Sequence, residues 1–171
     1  ALASGSIGKA LEVSRVARDK AISSRRRVLV GVNNYPNLTE KKAEADALPQ
    51  LDSSLPQCRI AEPFENIRRR TIEHALHMGR HPRVLLLLRG DVKMKGARAN
   101  FCLNFFGCAA FDIEQSEKIA DADLIVLCSS DAEYLAFAQE VCPKVKVPVL
   151  VAGNPKDQIA ALQAAGVQGF V

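Results

Sequence analysis

Three short stretches hold the residue types that could do chemistry. The first is Gly90-Asp91-Val92-Lys93-Met94-Lys95-Gly96-Ala97, where a carboxylate and an ammonium stand two positions apart. The second is Ser129-Ser130-Asp131, and the third is Ala152-Gly153. Lys93 is an ammonium at neutral pH and has no lone pair to give a metal. It would have to lose a proton far above neutrality first. Asp91 and Lys93 can instead pair with each other, a surface contact worth about 0–1 kcal/mol. Ser129 has no histidine near it in sequence, so nothing points to a nucleophile. His74, His77 and His81 fall close together, and His74 and His77 could share a helix face. No third ligand is nearby, whereas zinc asks for three or four. The five cysteines, at 58, 102, 108, 128 and 142, are odd in number and lack a Cys-x-x-Cys spacing. They read as buried thiols of a reducing cytosol, not a disulfide framework or a metal site. No catalytic residue and no metal ligand is expected in this chain.

The elements that must position these stretches are clearest from residue 83 onward. Apolar runs of strand length at 83–88, 111–114, 124–128, 147–151 and 167–171 alternate with helical patterns. The helices are predicted at 95–110, 131–141 and 156–165. The first has Ala97, Phe101, Leu103, Phe105 and Ala109 at core spacings, and Ser129-Ser130 can cap the second. Alternation of this kind predicts an α/β fold with a parallel sheet covered on both faces. Five strands suit a flavodoxin-like sheet of order 2-1-3-4-5. Ligands of such sheets bind beyond the carboxyl ends of the strands. The loops 89–96, 128–131 and 152–156 are then the places to look. Only about nine residues, 115–123, join the second and third strands, where a full crossover takes ten to twelve or more. One helical turn, or loop alone, is expected there.

Before the sheet, residues 5–24 have helical spacing and Val28-Leu29-Val30-Gly31-Val32 reads as a short buried strand, ended by the turn formers Asn33-Asn34-Tyr35-Pro36-Asn37. Residues 36–60, with Pro36, Pro49 and Pro56, read as linker. A helix follows from Glu62 to about Met78, with Pro63 in its first turn and Gly79 to end it. The division predicted is 1–35, 36–82 and 83–171. The opening Ala1-Leu2-Ala3-Ser4 reads as a cut point inside a longer protein, without a visible targeting signal.

The three loops resemble the signature of cobalamin-binding domains of the methylmalonyl-CoA mutase type. That signature is Asp-x-His-x-x-Gly after strand one, Ser-x-Leu after strand three and Gly-Gly after strand four. Here the positions read Asp91-x-Lys93-x-x-Gly96, Ser129-Ser130-Asp131 and Ala152-Gly153. In the family the histidine coordinates cobalt and the aspartate holds its other ring nitrogen. Lys93 replaces that imidazole. Asp131 puts a charge where an apolar ligand group should pack, and burying an unpaired carboxylate is costly. Ala152 adds a methyl where a glycine lets backbone approach the ligand. Asp91, Lys93, Gly96, Ser129 and Gly153 are therefore vestigial motif positions, at which binding is not expected.

The rest of the chain resembles the same family. Val30-Gly31-Val32-Asn33-Asn34-Tyr35-Pro36 is similar to the last strand and exit segment of a TIM-type barrel in acyl-CoA mutases. Ala61-Glu62-Pro63-Phe64-Glu65-Asn66-Ile67-Arg68 is similar to the linker helix that follows it. The combination resembles the C-terminal part of the small, non-catalytic subunits of two-subunit methylmalonyl-CoA mutases. The resemblance implies a structural subunit, a large catalytic mutase subunit as heterodimer partner, and adenosylcobalamin in that partner, with no cofactor in this chain. The alternative is a working cobalamin domain without a protein cobalt ligand, its pocket lined by Ser129 and Gly153. A receiver domain of the same fold would need an acidic pair at strand one and an aspartate at strand three, where this chain has Cys128-Ser129-Ser130.

Composition and charge fit that reading. The chain has 171 residues, 48% hydrophobic and 25% charged, which excludes wholesale disorder. Its longest apolar runs are too short to span a bilayer, so no membrane partner is expected and a cytoplasmic location is. Residues 1–99 carry 19 Lys and Arg against 10 Asp and Glu, and residues 100–171 carry 4 against 9. Arg25-Arg26-Arg27 and Arg68-Arg69-Arg70 lack interleaved aromatics, which favours a solvated or protein-facing basic surface over nucleic acid. The basic half and the acidic half are candidate contact surfaces for a partner.

Overall fold

After Arg83, strand β1 (Arg83–Leu88) is an unbroken apolar run, as is β3 (Leu124–Cys128), because both of their faces are covered. In the computed structural model, which describes residues 6–39 and 59–171, they form the centre of a five-stranded parallel sheet of order β2-β1-β3-β4-β5. The edges are β2 (Asp112–Ser116) and β5 (Gly169–Phe170), and β4 (Val149–Val151) lies between β3 and β5. Period-two alternation sends Leu85, Leu87, Ile125, Leu127, Val149 and Val151 to one face. There they pack on α4 (Tyr134–Val141) and on Leu162 of α5 (Ile159–Ala164). Val84, Leu86, Val126 and Cys128 face the other way, onto Ala99, Cys102 and Phe106 of α3 (Val92–Cys108). The flavodoxin-like topology read from the sequence is the one observed.

The α3 helix departs from expectation in extent and phase. It begins at Val92, three residues early, so Lys93 and Gly96 lie in its first two turns and not in a loop. Its buried stripe runs through Ala99, Cys102 and Phe106, while Phe101 and Phe105 are 44% and 46% exposed. Residues three and four apart share a helix face, so a stripe chosen one position off turns those aromatics outward.

The crossover from β2 to β3 is loop alone among its described residues, as its length requires. Among the described residues no helix covers β2 on the face opposite α3. The alternation of β2 matches this: Ile113 leans on the α3 side, and Asp112 and Glu114 are exposed. The crossover ends in an ion-pair cluster. Arg80 donates to both carboxylate oxygens of Asp123, at 2.5 and 2.7 Å, and the Arg83 backbone N–H donates to it at 2.8 Å. Arg83 also pairs with Asp121. The Arg80 hydrogen bond, then that of the Arg83 N–H, holds the Asp123 carboxyl well below the usual range. A carboxyl depressed by folding stabilises above its unfolded pKa, so this contribution is present above about pH 4 and fades on acidification. Asp123 is 41% exposed, which limits it to about 1 kcal/mol. Asp123→Asn is expected to lose that amount at pH 7 and progressively less as pH falls from about 4 toward the depressed range of the native carboxyl, read by urea titration along that range.

The α2 helix (Glu62–Met78) carries Pro63 in its first turn and Glu62 and Glu65 at its positive end, and Gly79 closes it at φ +72°. The α1 helix (Ser6–Ser23) buries Ile22 and leaves Leu11, Val13 and Val16 exposed. The strand expected at 28–32 does not form. Gly31 turns the backbone at φ +77°, Val30 is 77% exposed, and a lone bridge joins Val30 to Asn34. A strand needs a neighbour for its N–H and C=O groups, and among the described residues no strand pairs with this one. The segment expected to be the helix and strand of a barrel's end is thus a helix and a loop. The linker expected at 36–60 lies mostly outside the described residues, as do Cys58 and the opening Ala1-Leu2-Ala3-Ser4.

Candidate functional site

The carboxyl ends of β1, β3 and β4 meet at one mouth. After β1, Gly90 at φ +79° turns the chain into α3. Asp91 then caps the helix, its Oδ1 accepting the Met94 N–H at 2.9 Å. This bond, not a pair with Lys93, is what the Asp91 carboxylate does. Lys93 is exposed on the first helical turn. Asp91→Ala is expected to cost about 1 kcal/mol, a typical N-cap loss. Lys93→Ala should change stability by no more than about 0.5 kcal/mol. Denaturant titration of the two variants separates them.

After β3, Ser129 is fully buried. Its Oγ lies 3.0 Å from the Arg89 carbonyl and 2.7 Å from Glu133 Oε2. Ser130 Oγ donates to the same carboxylate oxygen at 2.8 Å. The two hydroxyls, Ser129 first, hold the Glu133 carboxyl below its ordinary range. Ser130 does not cap by accepting a backbone N–H, and the helix predicted at 131–141 opens with a 3-10 turn, Asp131–Glu133. The Glu133 carboxylate sits where a Cβ at Gly90 would be.

After β4, Ala152 is buried and its carbonyl accepts the Tyr134 hydroxyl proton at 2.5 Å. The same hydroxyl oxygen accepts the Ser129 N–H at 3.2 Å. Gly153, at φ +137°, lies under Arg98: a Cβ there would stand 2.9 Å from Arg98 Nη1. Arg98 reaches across to Asp131 at 3.0 Å, and Gln158 Nε2 donates to the Asp131 carbonyl at 3.0 Å.

Of the five motif positions, Ser129 and Gly153 lie in the mouth, Asp91 stands at its rim as a helix cap, and Lys93 and Gly96 are drawn into α3. Arg98, Glu133 and the Tyr134 hydroxyl complete the arrangement and were missed. A signal existed for Glu133: Ser130-x-x-Glu133 has capping-box spacing. Arg98 is seven residues past Asp91, on the same helix face, but only the fold brings it to Gly153. Among the described residues no group of His, Cys, Asp and Glu could hold a metal ion, and none of His74, His77 and His81 joins such a group. The described cysteines Cys102, Cys108 and Cys128 are buried free thiols, and Cys142 is a half-buried one.

No family model matches the chain. Individual proteins do. It is 31% identical to the methylmalonyl-CoA mutase small subunit of Porphyromonas gingivalis, over 97% of this chain and 30% of that protein. It is 29% identical to the methylmalonyl-CoA mutase small subunit of Streptomyces virginiae, over 85% of this chain and 26% of that protein. A probable methylmalonyl-CoA mutase small subunit of Mycobacterium bovis is 36% identical over 66% of this chain and 20% of its own length. The chain thus spans less than a third of each of these relatives. Over nearly all of its own length, it belongs to the family of methylmalonyl-CoA mutase small subunits.

Proposed function

We propose that this chain is a non-catalytic, structural part of a methylmalonyl-CoA mutase. It supports a large subunit that carries adenosylcobalamin and interconverts methylmalonyl-CoA and succinyl-CoA, and its own sheet does not bind cobalamin. One observation carries the second claim: the mouth offers cobalt no imidazole, and its two glycines are covered by the chain's own side chains. Lys93, at the ligand position, is an exposed ammonium on a helical turn. Glu133 lies over Gly90 and Arg98 over Gly153, where a ligand would approach backbone. The residues present do not fit the cofactor.

The partner claim rests on the names of the relatives, which are small subunits, and on the charge division between the two halves of the chain. A cytoplasmic setting is part of the proposal and is supported by the free thiols of the described cysteines, Cys102, Cys108, Cys128 and Cys142. Among the described residues no helix is long and apolar enough to cross a membrane. Mixing the chain with hydroxocobalamin should leave the corrin spectrum unchanged. Co-expression with a large mutase subunit should co-purify the two chains, with all the corrin on the large one. A spectral shift with this chain alone, or corrin on it in the complex, would show a working cobalamin domain.

A further inference from the structure

We infer that the mouth of this sheet is latched shut by the chain itself, with Arg98 and Glu133 as the two bolts. The inference deepens the non-binding reading above by naming what occupies the place of a ligand. Three loops must be held together there: those after β1, β3 and β4. Glu133 ties the first two. Its carboxylate rests on Gly90 and gathers the hydroxyls of Ser129 and Ser130, while Ser129 also reaches the Arg89 carbonyl. Arg98 ties α3 to the last two. Its guanidinium lies across Gly153 and pairs with Asp131, whose backbone carbonyl is fixed in turn by Gln158.

Each bolt needs its glycine. A side chain at Gly90 would collide with the Glu133 carboxylate, and one at Gly153 would push on Arg98. Both glycines also hold positive φ, so the turns and the latch require the same residue type. In a ligand-binding sheet of this topology the crevice beyond the strand ends stays open for a guest. Here Glu133 and Arg98 lie over its two glycines.

The floor under the latch supplies a readout. Cys128 ends β3 and packs against Cys102, one helical turn past Arg98, on the α3 face of the sheet. Both thiols are fully buried. The hydrogen bond between them and burial push the Cys128 thiol up, and the nearby Arg98 charge acts against that. Cys108, also buried, lies two turns further along α3 and away from the mouth, so it reports general loosening.

The experiment is alkylation of the folded chain with iodoacetamide, followed by peptide mapping of each cysteine. In the wild type, Cys102, Cys108 and Cys128 should all react slowly. In Arg98→Ala, Cys102 and Cys128 should react about tenfold faster or more while Cys108 changes less than about twofold, the pattern of a local opening. Glu133→Ala should give the same pattern more weakly, and it carries the test if Arg98→Ala does not fold. Fast labelling of Cys102 and Cys128 in the wild type would overturn the latch. So would variants that stay folded with no acceleration, or in which all three thiols speed up together. A wild-type chain that bound hydroxocobalamin while its thiols stayed protected would sink the non-binding reading, leave the latch standing and put the corrin outside the mouth. Open thiols without cobalamin binding would do the reverse.

Discussion

Removing one oxygen atom, in Tyr134→Phe, is expected to lower the unfolding free energy by about 2 kcal/mol, and Tyr134→Ala by about 3–5 kcal/mol. Tyr134 is fully buried at the start of α4. Its hydroxyl donates to the Ala152 carbonyl and accepts the Ser129 N–H, so it joins the end of β3 to the end of β4 directly beneath the mouth. Phenylalanine fills nearly the same volume, so the loss is polar. Two buried backbone groups lose a partner, and each unsatisfied group costs about 1–3 kcal/mol. The Ala variant adds a cavity in the cluster formed with Phe137, Leu127 and Val151.

The same hydroxyl makes the chain sensitive to alkali. Burial pushes the Tyr134 phenol up to about 12. The phenol ionises near pH 10 once the chain unfolds. A group raised by folding contributes stability that is complete below its unfolded pKa and is lost as pH rises through the folded one. Stability should therefore fall between pH 10 and about 12. Chemical denaturation across that range checks it. Tyr134→Phe should be less stable at pH 7 and should lack this alkaline component. A variant as stable as wild type at pH 7, with the same alkaline fall, would show that the hydroxyl bridge does not hold the strands.

The sheet was legible because its signals were redundant. Apolar runs such as Val84–Leu88 and Leu124–Cys128 can only be covered strands at that length, and Gly79 and Pro63 bracket α2 by backbone chemistry alone. The short β2–β3 crossover was legible from counting. What was not legible depends on contacts distant in sequence. The phase of α3 is set by which of its faces meets Val126 and Cys128, and several apolar stripes compete in a helix containing Phe101, Leu103, Phe105 and Phe106. The early start of α3 turns on Asp91, a good N-cap whose role was masked by a motif reading of the same residue. The mouth divided in the same way. Ser129 and Gly153 follow strands and could be placed by topology. Arg98 acts through space, across 33 residues to Asp131, and no local pattern announces that; the capping-box spacing of Ser130 and Glu133 points to the local bonds of Glu133 but not to its place over Gly90. The expected strand at 28–32 failed for a related reason. Its composition suits a strand, but strand formation is decided by a neighbour.

What organises that segment instead is one buried amide, and Asn33→Leu is expected to release it. Asn33 is 1% exposed. Its Nδ2 donates to the Ile22 carbonyl at 2.8 Å and the Arg27 carbonyl at 2.9 Å, and its Oδ1 accepts the Leu29 N–H at 2.8 Å. One side chain thus closes the end of α1 onto the loop that follows. Leucine would leave three backbone groups without these partners, at about 1 kcal/mol or more each. Asn33→Asp should be worse, because it keeps the acceptor for Leu29 but sets a carboxylate against two carbonyl oxygens. The loss should stay local. The segment is attached to α3 by the Tyr35 N–H on Asn104 Oδ1, by Arg25 over the Phe101 ring and by Pro36 and Leu38 against Gly107. None of these reaches the sheet. Hydrogen exchange at Leu29 and its neighbours should therefore accelerate by about a hundredfold, the equivalent of roughly 3 kcal/mol, while β1 and β3 keep their protection. Protection at Leu29 unchanged in Asn33→Leu would mean that docking on α3, not the buried amide, orders the segment. Gly107→Val then separates the two, since its side chain strikes Leu38 and Pro36 and leaves the Asn33 bonds in place.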